Sequence, residues 1–377
     1  MNNEKTWVEI DQGKILNNFS QFRKRVGKGV KIAAVLKANA YGHGLENVTE
    51  ILKNKTDYFA VDSIREALIV RKISKLPVVI FGYTSEGEYP KLLNNNFEQT
   101  IFDFSNLSQL NVVASRLHRV AQIHLEIETG TSRNGILLKD LPMYLGFIKK
   151  NKSLSLAGLF THFANIEDTT NHAYAEKQLK IYKEAVKLVN EFGFKDFIKH
   201  TACTAASILF DKTYFDMIRL GIGLYGMWPS EETKISAQND RIDLKLKPAL
   251  TWKTRIAHIN DLPTKTYVSY GCTERLMRDS KVAVIPVGYY DGFDRGLSNI
   301  GEVLVGGLRC PVLGRICMNM SMIDVTNVKN VKIDDEVVLL GRQKQEEITA
   351  ETTAQKINTI NYEVTTRINP LIKRFTI

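Results

Sequence analysis

Residues 31–44 read KIAAVLKANAYGHG. Ile32, Ala33, Ala34, Val35 and Leu36 form a short apolar run of the kind a parallel sheet buries on both faces. The run ends on Lys37, and small residues, Tyr41 and the glycines Gly42 and Gly44 follow. A lysine at a strand end can lay its stem along the strand and keep its ammonium in water. Whether Lys37 does more depends on what the other strands bring to the same end of the sheet.

Similar runs recur through the first two thirds of the chain: YFAVDS, LPVVIFG, QTIFD, QIHLEIE, LAGLFTHF, FIKHTACT and MIRLGIGLYG. Helical spacing separates several of them, as at Leu45, Val48, Ile51 and Leu52, and at Tyr182, Ala185, Leu188 and Val189. Eight such runs alternating with helices predict an α/β fold, a (β/α)8 TIM barrel over 12–240. An open doubly wound sheet also fits the pattern alone. Near Arg241 the pattern changes. LKPALTWKTRIAHI, YVSYG, KVAVIPVGYYDG, EVLVGG, CPVLGRICM, MIDV and DEVVLLG read as strands punctuated by turns. A helix over about 350–360 precedes INYEVTTRI. Residues 241–377 are therefore expected to form a mainly β domain.

With 44% hydrophobic and 24% charged residues in 377, the chain can bury a sizeable core. The amino terminus, MNNEKTWVEI, has neither the basic nor the apolar region of a signal peptide, and no apolar run is long enough to span a bilayer. The expected location is cytoplasmic. The four cysteines (Cys203, Cys272, Cys310, Cys317) show no CxxC spacing, and the seven histidines show neither HxxxH nor HExxH, so no metal site is expected. The net charge of +10 is spread over the whole chain, which fits a solvated surface better than a nucleic-acid face.

Functional groups of a barrel sit at the carboxyl ends of its strands. Those ends carry Lys37, Glu128–Arg133, Thr161–His162, Thr204 and Arg219–Gly223. Gly221 and Gly223 would let backbone N–H groups approach an anion, and the loops after strands seven and eight are the usual phosphate position of such barrels. Taken alone, GIG is also an ordinary tight turn. A lysine after strand one combined with a phosphate site points to a phosphorylated carbonyl cofactor held as a Schiff base. Pyridoxal phosphate is the usual candidate.

AVLKANAYGHG resembles the cofactor-lysine segment of alanine racemases. The likeness continues through EID, ETGTSRNG, GLFTHFANIED, IRLGIGLYG, LKPAL, VSYG, IPVGYYDGFDR, GRICMN and INYEV, in order across almost the whole chain. It implies an isomerase, a pyridoxal 5'-phosphate barrel joined to a β-rich domain that also takes the amino-terminal strand, 1–11. It implies interconversion of L- and D-alanine, supplying D-alanine for peptidoglycan, by a cytoplasmic homodimer with shared active sites. Lys37 would hold the cofactor and act as one base. Tyr270 of the partner subunit would be the other.

A phenol near its usual pKa of about 10 is a poor base at neutral pH. The family surrounds it with a polar network, here His162, Arg219 and His200. Arg219 would also face the cofactor's ring nitrogen and, being unable to give up a proton readily, leave that nitrogen unprotonated. Tyr41, Thr204, Gly221, Ile222 and Tyr362 would hold the phosphate, with Thr204 at a position usually serine. Arg133 would contact the cofactor and the substrate carboxylate. Met318 of the partner subunit would offer its N–H to that carboxylate, and Tyr289 would line the entrance.

The chain departs from the family at three further places. Glu126 stands where the family often has a carbamylated lysine, giving a built-in carboxylate with a reach shorter by roughly 3–4 Å. Glu126 either orients Arg133 directly or through water, or pairs with another cation. Asn319 replaces a usual aspartate, and Ser132 alters the TGTSRNG loop. These changes leave open a racemase of broader range, such as serine, and the same barrel also carries pyridoxal-phosphate decarboxylases. A non-catalytic cofactor-binding barrel would be expected to lack the VSYG and GRICM segments.

Overall fold

The computed structural model describes residues 3–167 and 169–377; Met1 and Asn2 of the expected first strand, and Asp168 of the ANIED segment, lie outside the described residues. The chain forms two compact units. One comprises Lys14–Ala40 and Val48–Lys247; the other comprises the amino-terminal residues to Gly13, Tyr41–Asn47 and Pro248–Ile377.

After an amino-terminal strand β1 (Thr6–Ile10), the first unit carries β2 (Lys31–Val35), β3 (Tyr58–Val61), β4 (Val78–Ile80) and β5 (Glu98–Ile101). It continues with β6 (Ala121–Glu126), β7 (Leu154–Phe160), β8 (Ile198–His200) and β9 (Met217–Leu220). These are the eight runs expected from the sequence. They pair in parallel in the order β8-β7-β6-β5-β4-β3-β2-β9. Asp216 N–H donates to Lys199 O at 3.0 Å and Arg219 N–H to Ala202 O at 2.9 Å, so β8 and β9 nearly close the ring. The α/β fold is a TIM barrel rather than an open sheet.

The helices around it follow from spacing and caps. The helix Gln12–Val26 buries Ile15, Phe19, Phe22 and Val26, which share one face at a period of 3.6. Its last turn carries Arg23, Lys24 and Arg25, where cations complement the helix dipole. Ser63 accepts from Glu66 N–H and starts the helix Ile64–Ile73, a cap worth about 1 kcal/mol.

After β2 the backbone takes a course that composition does not reveal. Ala38, Asn39, Ala40 and Tyr41 all lie in the left-handed region, at φ 54°, 54°, 53° and 54°. Each L-residue held there costs roughly 1–2 kcal/mol. The short side chains at 38–40 keep that crowding small. The Glu66 carboxylate accepts from Ala38 N–H at 2.8 Å and Asp62 N–H at 2.9 Å, and Ala40 N–H reaches Leu36 O at 2.8 Å. Lys37 therefore starts a braced turn.

In the second unit β1 lies between β10 (Leu250–Arg255), antiparallel, and a final strand, parallel. The remaining strands are β11 (His258–Leu262), β12 (Tyr267–Val268), β13 (Glu274–Arg275), β14 (Ser280–Ile285) and β15 (Glu302–Val305). Then come β16 (Leu308–Leu313), β17 (Ser321–Asp324), β18 (Glu336–Gln343), β19 (Glu346–Ile348) and β20 (Lys373–Thr376). The main sheet runs β11-β14-β17-β16-β15-β18-β10-β1-β20. The expected helix over about 350–360 is shorter, Ala350–Lys356, started by a Thr349–Thr352 capping box, and a second helix, Asn361–Thr366, occupies NYEVTT. YVSYG is a strand only to Val268. Ser269, Gly271 and Cys272 have φ of 67°, 76° and 50°, so Tyr270 stands on a tight turn between β12 and β13. Gly42 also belongs to this unit, and a Cβ there would fall 1.9 Å from Thr365 O, so only glycine fits.

Candidate active site

In the barrel the sequence-predicted residues sit where the strands end. Lys37 follows β2, His162 follows β7, His200 closes β8, and Arg219 lies in β9 with Gly221 just beyond it. Arg219 is 5% exposed and its terminal nitrogens are fully engaged. Nη1 donates to His200 Nδ1 and His200 O, both at 2.9 Å. Nη2 donates to Thr161 O and Thr201 O at 2.9 Å, and to His162 Nδ1 at 3.4 Å. None of these bonds uses Nε. The guanidinium also lies over the Phe160 ring, 5.2 Å from its centroid.

Electrostatics report how the cations converge. Burial pushes His162 down from its usual value to about 3, with Arg219, Arg133 and Lys37 each adding to the fall. His200 is lowered well below the imidazole range by burial and by Arg219 and His124. Both imidazoles are neutral hydrogen-bonding groups at neutral pH. Glu126, 5% exposed at the end of β6, lies 3.7 Å from Arg133 Nη2, an ion pair longer than a hydrogen bond. Burial raises its pKa, and Arg133 and Arg219 oppose that rise. The Glu128 carboxylate accepts from the Gly130 and Ser132 N–H groups, folding the turn that presents Arg133.

The phosphate-like turn is also assembled. Thr204 Oγ1 accepts from Gly221 N–H at 3.1 Å and from Gly223 N–H at 3.4 Å. Tyr225 OH donates to Val35 O at 2.7 Å and ties this turn to the end of β2.

In the β-rich unit the rings of Tyr41 and Tyr362 are neighbours, with centroids 6.0 Å apart. Tyr270, Tyr289 and Met318 lie on segments that contact one another. Ser269 Oγ donates to Arg315 O at 2.5 Å and lies 3.8 Å from Cys317 Sγ; Tyr289 N–H donates to Cys317 O at 3.0 Å. All three are open to solvent in the single chain, Tyr270 at 71%.

Along nearly its whole length the chain is similar to known proteins. Residues 10–229 match the family model of the alanine racemase N-terminal domain, and residues 249–376 match that of the C-terminal domain. The chain belongs to the alanine racemase family. It is 39% identical to the alanine racemase of Leptospira interrogans, covering 99% of this chain and 96% of the relative. Among solved structures, the alanine racemase of Clostridium difficile 630 superposes with a TM-score of 0.93 at 31% identity, covering 100% of this chain and 97% of that one. The alanine racemase of Bacillus anthracis with bound L-Ala-P gives 0.91 at 32% identity, covering 100% and 96%. Among the described residues no helix is long and apolar enough to cross a membrane.

Within this racemase-family barrel, two residues escaped sequence reasoning. Glu98 and His124 are buried, and His124 Nε2 lies 2.6 Å from the Glu98 carboxylate while its Nδ1 lies 3.0 Å from His200 Nε2. The available signal was a charged or polar residue inside a strand otherwise read as core, in EQTI and QIHLEIE.

Proposed function

We propose that the protein is a pyridoxal-phosphate-dependent alanine racemase, interconverting L- and D-alanine as a homodimer and supplying D-alanine for peptidoglycan. The observation that carries this reading is the convergence of Lys37, Arg133 and Arg219 on His162 at the barrel's carboxyl end. That cation density suits a ligand bearing phosphate and carboxylate; Gly221 N–H, which here donates to Thr204 Oγ1, would join the Thr204 hydroxyl and the Ile222 amide in turning to the phosphate. The residues present thus fit the cofactor, and family resemblance adds Tyr41 and Tyr362 to the phosphate.

Pyridoxal phosphate, held covalently by Lys37, supplies an electron sink that makes the substrate's α-proton removable. The chain's residues do the rest. Lys37 Nζ moves the proton on one face, and Tyr270 Oη of the partner subunit moves it on the other. Arg219, its terminal nitrogens already committed, would present its remaining donor, Nε–H, to the cofactor's ring nitrogen. A guanidinium does not readily surrender its proton, so Arg219 would leave that nitrogen unprotonated and the electron sink weak, favouring proton return over side reactions. A decarboxylase would gain from a carboxylate at this position, where the chain has arginine.

Arg133 binds the substrate carboxylate and is oriented by Glu126, whose fixed carboxylate needs no modification. Met318 N–H of the partner subunit holds the same carboxylate, and Tyr289 narrows the entrance. Asn319 and Ser132 leave both bases untouched and bear on substrate range.

The test is chiral analysis of product from the purified holoenzyme with L-alanine, D-alanine and other small amino acids, together with a carbon dioxide assay. Alanine racemised in both directions without gas release is the expected result. Release of carbon dioxide, or no inversion of any amino acid, contradicts it.

A further inference from the structure

A chain of buried side chains crosses the barrel interior, beneath the residues so far given roles. Tyr58 OH donates to Glu98 Oε1 at 3.4 Å; Glu98 Oε2 lies 2.6 Å from His124 Nε2. His124 Nδ1 lies 3.0 Å from His200 Nε2, and His200 Nδ1 lies 2.9 Å from Arg219 Nη1. The residues come from β3, β5, β6, β8 and β9, running from the amino-terminal ends of β3 and β5 to the site. His124 and His200 are fully buried, Glu98 is 9% exposed and Tyr58 8%. Barrel interiors are ordinarily filled by branched apolar side chains, and burying polar groups is costly unless each is paired.

The chemistry of its two ends fixes the chain's direction. Arginine can only donate, so His200 Nδ1 must accept, and the His200 proton sits on Nε2. That proton points at His124 Nδ1, which must therefore accept, leaving the His124 proton on Nε2. The Glu98 carboxylate, an acceptor, completes the sequence. No step conflicts with its neighbour. A reversed tautomer at His200 would set an N–H against an N–H of Arg219.

The backbone is shaped to hold these rings. The β6–β7 ladder slips between Ile123 and His124, pairing Ile123 with Leu156 but His124 with Gly158. Ala157 is the extra residue of a bulge, a device that re-aims side chains. A Cβ at Gly158 would lie 2.1 Å from His124 Nδ1, so the missing side chain makes room for the imidazole. His200 stacks on Phe160, with ring centroids 4.8 Å apart and planes 14° from parallel.

We propose that Glu98 and His124 are positioning residues for racemisation: through His200 they fix one acceptor for Arg219 and so hold its guanidinium in register with the cofactor. Glu98 also places a negative charge across the barrel from a buried cation without touching it. The function of this chain rests on the reading that Arg219 faces the cofactor; the protonation pattern does not.

Two measurements on the holoenzyme test it. Neutron diffraction from a deuterated crystal should place deuterons on Nε2 of both His124 and His200 and none on either Nδ1. A deuteron on His200 Nδ1 overturns the proposal. In kinetics, Glu98→Gln keeps an acceptor oxygen and should retain kcat within about threefold, whereas Glu98→Met removes the acceptor and should lower kcat roughly 10-fold with KM and the bound-cofactor absorbance little changed. Unchanged kcat in Glu98→Met overturns the positioning role. Should Glu98→Met fail to fold, the neutron result still decides. Absence of racemase activity in the unaltered enzyme would instead sink the functional reading and leave the protonation pattern standing.

Discussion

The barrel and the β-rich unit hold their candidate site residues in opposite ways. Arg219 and His200 are buried and bonded on several sides, whereas Tyr270, Met318 and Tyr289 of the β-rich unit are 71%, 55% and 43% exposed. Buried donors with fixed acceptors are organised before any substrate arrives. A phenol serves as a base near neutral pH only where neighbouring cations or hydrogen-bond donors stabilise its ionised form. On the proposed function, the barrel half of the site is organised within one chain, and the partner subunit would supply the other half.

The largest expected effect falls on activity. Lys37→Ala should lower racemisation on the order of 10⁴-fold, and Tyr270→Phe by about 10²–10³-fold, measured with purified holoenzyme in both directions. Because Tyr270 is exposed within its own chain, losing its hydroxyl should leave the unfolding free energy of the chain within about 0.5 kcal/mol of the parent. A large loss of stability in Tyr270→Phe would break the contrast. Arg219→Ala should behave the other way. It strands His200 Nδ1 and the carbonyls of Thr161, His200 and Thr201, and should destabilise the chain by roughly 3–5 kcal/mol in denaturant titration.

The eight barrel strands were readable because each is a short apolar run between helical stretches, and Lys37 stood out as a charge at the end of one. Other features left no such mark. The left-handed course of Ala38–Tyr41 is invisible because none of these residues is glycine, the usual sign of positive φ. The β20 strand, KRFT, has no apolar alternation because it is an edge strand, where charged residues discourage further pairing. Glu98 and His124 look like blemishes in core strands until the fold brings β5, β6 and β8 around a common interior. Glu126 was legible as a departure, and the distance to Arg133 supplied what the sequence could not.

Smaller effects sharpen the same contrast. His162 has its folded pKa depressed to about 3, so the unfolded chain binds the extra proton first as pH falls below about 6.5. Its stabilising contribution is present above that value and is lost as pH drops toward 3, at about 1.4 kcal/mol per pH unit. Unfolding midpoints of the parent and His162→Gln between pH 7 and 4.5 should show a shallower slope in the variant. An equal slope contradicts a neutral His162. The smallest change belongs to Glu126→Gln. Loss of one carboxylate 3.7 Å from a half-exposed arginine should raise KM for alanine by about threefold with little change in kcat. A fall in kcat alone would contradict its assignment to the substrate carboxylate's arginine.

Mixing two inactive variants tests the division of the site most directly. Lys37→Ala and Tyr270→Phe chains, each inactive alone, are dissociated, mixed in equal amounts and reassociated. If Lys37 of one subunit works with Tyr270 of the other, each mixed dimer holds one intact site, and activity should return to about a quarter of the parent level. If both bases of a site come from the same chain, every site carries a defect and the mixture stays inactive.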